Sequence, residues 1–193
     1  MKDFTKLLHV TLINVLKELD DIITSDFNVN GGMDMTKEQI SAYTMRISQA
    51  NASAMAVVLF DIVLECIGEA KQAFAEENPA QFQRSLSQAQ GFLQELMSMS
   101  KMDSQVGCDV MSIYLFVDKQ MLMSIVKQQP VNLEECAGYL EQLRSSFVEI
   151  SKKDTDAPLM QGSQQVYAGL TYGKGYLNES CDPLGAHNRG LQA

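Results

Sequence analysis

Two histidines, His9 and His187, are the only imidazoles in the 193-residue chain, and they stand almost at its two ends. A carboxylate-bridged metal site in a helical bundle needs Glu-x-x-His pairs on two helices, and the sequence offers none. The cysteines, Cys66, Cys108, Cys136 and Cys181, lie far apart with no C-x-x-C pair, so a zinc site lacks its donor spacing. The first three fall on helical apolar faces, where a reduced thiol behaves as a small hydrophobe. Gly173 and Gly175 lack the preceding strand and following helix of a dinucleotide fingerprint, and no G-x-S-x-G elbow occurs. Glu65, Glu69, Glu76 and Glu77 could pair for acid–base work only if desolvated, whereas their helical spacing reads as a solvated face. No catalytic residue, metal ligand or cofactor is expected, and the chain does not read as an enzyme.

Bulk composition narrows the partners. The formal net charge is −9, and no basic run is present to displace counterions from a phosphate backbone. Nucleic acid is therefore not an expected partner, and an anionic membrane surface is disfavoured for the same reason. No run approaches the roughly 20 apolar residues a membrane span requires. The opening segment carries Asp3, Glu18, Asp20 and Asp21 among periodically interrupted apolar residues, unlike a secretory signal. A cytoplasmic protein is expected, without membrane insertion.

The elements follow from hydrophobic spacing. Leu8, Leu12, Val15, Leu16, Leu19, Ile22 and Ile23 recur in steps that draw one stripe along a helix, which should stop near Ser25, before the turn-forming run Asn28 to Gly32. Met35-Thr36 to Ile40 reads as a capped helix start with a hydrophobic staple. From there the pattern runs through Tyr43, Ile47, Met55, Leu59, Ile62, Cys66 and Phe74 to Asn78-Pro79. The alanines favour one helix over this stretch, whereas Asn51 and Ser53 could cap a second, and both readings stand. A further stripe follows Pro79 from Phe82 to Met97, another runs from Val106 to Ile125, and the last from Cys136 to Ile150. Asn132 and Glu135 have the spacing of a capping box.

No stretch alternates with period two, so no strand is expected. The fold class is all-α, an antiparallel up-and-down helical bundle, since short connections between amphipathic helices leave that as the economical way to bury the stripes. The chain divides into an N-terminal amphipathic helix within 1–30, a bundle over 36–153 and a Gly/Tyr-rich tail over 154–193. The tail, with Tyr167, Tyr172 and Tyr176, is either solvated or docks its tyrosines on the bundle or a partner. Methionines at 97, 99, 102, 111, 121 and 123 fill a core or furnish an adaptable surface.

From Ala42 to about Glu149 the chain resembles the FliS family of flagellin chaperones. Ala42-Tyr43 stands for the family's Ala-Tyr, and Leu59-Phe60-Asp61 for its Leu-Tyr-Asp. Leu86 to Asp103 matches its Leu-x-Lys-Ala-Gln … Glu-Leu … Leu-Asp helix. Ile113-Tyr114 and Leu140 to Ile150 match its Leu-Tyr and Glu-Leu-Arg-x-x-Trp segments. Ser53-Ala54-Met55-Ala56 replaces the family's Ser-Pro-Glu-Glu, Leu115 replaces an Asp, and Phe147 replaces a Trp. The resemblance implies a four-helix FliS-like core, with the first helix and the tail as extensions.

It also implies a function: binding the disordered C-terminal segment of flagellin, preventing premature polymerisation and delivering the subunit to the flagellar export apparatus. By the same resemblance Tyr43 and Ile47 would lie over an apolar groove, Leu59 and Phe60 would help to line it, and Tyr114 would stand nearby. For each, apolar spacing on a helix equally describes core packing. The first helix could hold that groove shut or enlarge the bundle. The alternative function is a non-enzymatic adaptor that self-associates, as a homodimer, through the Leu8-to-Ile23 stripe.

Overall fold

The computed structural model describes residues 10–20 and 37–160. They form α1 (residues 10–20), α2 (Lys37–Ser48), α3 (Ala52–Ala75), α4 (Pro79–Met99), α5 (Gln105–Lys127) and α6 (Leu133–Ser151). No strand occurs among the described residues. The readings that concern Thr36, the stop near Ser25 and the tail tyrosines fall outside them.

Of the two readings left open for the stretch before Asn78, one helix or two, the fold takes the second. Asn51 takes an extended backbone and its side-chain oxygen accepts the Ala54 amide (2.9 Å), which starts α3 anew. Asn78 does the same for the Gln81 amide with Pro79 behind it, and Ser104 for the Gly107 amide. Each such cap is worth about 1 kcal/mol. Asn132 behaves differently from the capping-box expectation. It sits in the left-handed region (φ 53°) and its side chain makes no cap bond, so Glu135 has nothing to reciprocate.

α3 is the central helix, buried along most of its length from Met55 to Ala73, with α4 and α6 against it. α5 closes the ring by packing on α4 and α6, and α2 lies on α3. The corners are three to five residues long, so neighbours run antiparallel. Between α3 and α6 the ion pairs Asp61–Arg144 and Lys71–Glu134 run in opposite senses along the two chains. Phe60, Phe82, Phe92 and Tyr114 are the largest fully enclosed side chains. Each such ring contributes about 2–3 kcal/mol of burial.

α1 joins this core. Leu12, Val15 and Leu19 are enclosed together with residues of the other helices. It runs antiparallel to α4: the Thr11 and Ser98 hydroxyls share a hydrogen bond (3.0 Å), and Asn14 donates to Glu95 (3.2 Å). Burial pushes the Glu95 carboxyl above its ordinary pKa, while the bonds from Asn14, Thr11 and Ser98 pull the other way. At Gly91 the Glu18 carboxylate lies 3.2 Å from where a Cβ would stand.

The corner between α4 and α5 is tighter. A Cβ on Gly107 would fall inside the van der Waals envelope of the Lys101 backbone carbonyl, which no side-chain rotation relieves. Gly107→Ala is therefore expected to cost about 1–3 kcal/mol despite the better helix propensity of alanine. A urea melt of the variant against the parent checks this, and an unchanged midpoint would contradict the packing described.

Candidate functional site

No group of three or more His, Cys, Asp or Glu among the described residues is placed to hold a metal ion. A concavity of about 490 Å³ lies where the α3–α4 corner meets the end of α5, lined by Phe74, Glu77, Pro79, Phe82 and Gln128. Its polar groups do not converge on a ligand. Asn78 caps α4, and the Gln128 side chain donates to its own Ile125 carbonyl (2.8 Å). The thiols are equally quiet. Cys66 and Cys136 are enclosed, and burial, with Glu135 beside it, pushes the Cys136 thiol up to about 11. Cys108 is exposed, so a neutral-pH alkylating reagent is expected to label it well before Cys66 or Cys136, as peptide mapping would show.

The site-candidate residues occupy two different environments. Ile47, Leu59, Phe60 and Tyr114 are fully enclosed, whereas Tyr43 is half-buried. Phe60 is the hub of an aromatic knot, with its ring centroid 6.1 Å from that of Tyr114 on α5 and 5.4 Å from that of Phe147 on α6. The Tyr114 hydroxyl has no hydrogen-bond partner among the described residues. The Ser100 hydroxyl beside it donates to the Leu96 carbonyl (2.9 Å) and does not reach bonding geometry with the phenol. Burial raises the Tyr114 pKa far above that of an ordinary phenol.

α2 is held on α3 by polar side chains in addition to its enclosed Ile40 and Ile47. The Tyr43 hydroxyl donates to Glu65 (2.5 Å), and the Gln39 amide donates to the same carboxylate. Burial raises the Tyr43 pKa most, and the Glu65 hydrogen bond and charge add to it. One turn along, Arg46 pairs with Asp61 (2.6 Å) and lies 5.7 Å from the centre of the Tyr43 ring. Asp61 also takes Arg144 of α6 (2.5 Å), and that bond is the chief cause of the raised Arg144 pKa. One carboxylate thus ties three helices together.

A second feature faces outward. On α5, Leu115, Leu122 and Val126 are 55%, 51% and 75% exposed. Steps of seven and four residues put them on one face, with Lys119 between. Isolated exposed apolar residues are ordinary, and these three share one face of a single helix. The methionines divide: Met121 is enclosed, Met97, Met99 and Met111 are half-buried against the core, and Met102 is 63% exposed.

Sequence spacing missed the exposed row, because Leu115, Leu122 and Val126 sit beside an inward stripe of similar residues on the same helix. It missed Glu65 as an anchor too, since nothing local says which carboxylate a distant tyrosine will find. The meeting of the short motifs was hidden as well. Tyr43 with Arg46, Phe60 with Asp61, Tyr114, and Arg144 with Phe147 lie on four different helices and converge on the middle of α3.

Residues 35–154 match the family described as flagellar protein FliS. No curated protein and no solved structure matches the chain. No helix among the described residues is long and apolar enough to cross a membrane. The matched span covers α2 to α6 with the whole motif cluster, so the chain belongs to the FliS family of flagellar chaperones.

Proposed function

We propose that the protein is a cytoplasmic export chaperone that binds the disordered C-terminal segment of flagellin, prevents its premature polymerisation and delivers it to the export apparatus. The observation that carries this reading is the apolar row on α5, in a chain of the flagellar chaperone family. An extended client ordering on such a row gains apolar contact over a long path and spends part of it on its own ordering. The row suits an amphipathic client helix laid along α5, read at positions one, eight and twelve of the row.

In this reading Tyr43 meets the client directly, as the site candidate with surface to offer. Ile47, Leu59, Phe60 and Tyr114 shape the bundle behind it and touch client only when α2 moves away. The adaptor alternative has less to work with. Leu12, Val15 and Leu19, with Leu16 half-buried against them, are the described part of its stripe and are spent on the protein's own core, leaving Val10 and Ile13 outside.

Calorimetric titration with the flagellin C-terminal segment tests the proposal. Binding near one to one with a large negative heat-capacity change is the expected result. Absence of binding, together with a dimer in size-exclusion chromatography, would replace the chaperone by the adaptor.

A further inference from the structure

Beyond α6 the chain turns back on itself. Residues 152–160 run from the end of α6 to the break between α2 and α3, and several polar groups meet there. The Ser53 hydroxyl donates to Asp154, whose other carboxylate oxygen accepts the Asp156 amide (3.0 Å). Asn51 works in both directions: its oxygen caps α3, and its amide nitrogen donates to the carbonyl of Asp154 (3.3 Å) and, at 3.5 Å, to that of Asp156. The Leu159 amide donates to the Ala50 carbonyl (2.9 Å), in the break itself, where no helical donor follows. Leu159 and Met160 are half-buried against the core.

The break is the natural hinge of the fold. Gln49, Ala50 and Asn51 separate two helices, and the first, at 12 residues, is too short to hold its shape alone in water. α2 remains helical only while docked. Its docking rests on Ile40, Ile47 and three polar contacts to α3, and its C-terminal tie to α3 is the segment that the returning chain grips.

We propose that residues 154–160 are a clasp on the α2–α3 hinge, and that its closing sets how readily α2 leaves the bundle. A closed clasp fixes the Ala50 carbonyl and the Asn51 cap, so α2 departs only at the cost of both. An open one lets α2 swing about residues 49–51 while α3 keeps its own cap. The mechanics rest on these contacts alone; the consequence, that the clasp regulates client access beneath α2, rests on the chaperone reading above.

Two full-length variants test the clasp separately. Asp154→Ala removes the acceptor for Ser53 and the Asp156 amide, and Leu159→Pro removes the donor to Ala50. Hydrogen exchange, followed by mass spectrometry without flagellin, is expected to quicken about tenfold across α2 in both, with α4 and α5 unchanged. Unchanged exchange in α2 would overturn the proposal. So would equal quickening in every helix, because the segment would then add only general stability. Titration of the same variants with the flagellin segment tests the consequence. Tighter binding than the parent's is expected, and equal affinity with a loosened α2 would detach the clasp from client access. Failure of the parent and both variants to bind would remove the chaperone reading and leave the exchange result standing.

Discussion

Replacing Leu115, Leu122 and Val126 together by serine is expected to weaken binding of the flagellin C-terminal segment about 100-fold and to leave the melting temperature within a few degrees. All three side chains are more than half exposed in the free protein, so their removal takes little from its core. Surface changes of this kind stay within about 0.5 kcal/mol each. Covered by a client helix, each would lose the remaining half of its apolar surface from water, worth about 1 kcal/mol. Three such terms, about 3 kcal/mol, correspond to two decades in affinity. Calorimetry gives the affinity and a thermal melt the stability. Full affinity in the triple variant would move the client to another face, with the Tyr43 side of α2 next in line.

The opposite signature is expected for Phe60. Phe60→Ala should cost about 3–5 kcal/mol of folding free energy, a large share of the roughly 5–15 kcal/mol that holds an ordinary domain together. The ring is fully enclosed and in tilted contact with Tyr114 and Phe147, each pair adding about 0.5–1.5 kcal/mol beyond its area. Its loss would leave a cavity where α3, α5 and α6 meet, against the Tyr114 and Phe147 rings. Urea denaturation measures the loss. Phe60→Leu separates the two roles of the position. It keeps most of the volume, so parental client affinity in the leucine variant would show that Phe60 acts through the fold. An affinity loss in a stable leucine variant would instead place the ring against the client.

These two expectations divide the chaperone into a wall and a scaffold. The motifs that carry the family likeness belong mostly to the scaffold: Asp61 joins α2, α3 and α6, and Phe60 joins α3, α5 and α6. A family can hold such residues constant while the outward row varies with the client. Leu115, as one of the three residues of the outward row, belongs to the wall in this reading.

The helices were legible from the residues because period and punctuation are local. Leu12, Val15 and Leu19 announce an inward stripe, and Asn78-Pro79 announces a start, through interactions spanning only a few positions. The break at Asn51 was balanced in the sequence, since alanine propensity and an asparagine cap differ by about a kilocalorie and pull in opposite directions. Docking decided it, with the Leu159 amide supplying the donor that the Ala50 carbonyl needs. Asn132 went against its spacing because its left-handed backbone leaves the side chain making no cap bond. The candidate site was legible as a set of names, but its geometry was not. Whether Phe60 or Leu115 faces water depends on which helices lie alongside, and Glu65 and Asp61 became anchors only when α2 was laid across them. Sequence alone determined an acidic all-helical chain with its turns and stripes. Tertiary packing decided which stripe meets which, because burial and salt bridging are settled between residues far apart in the chain.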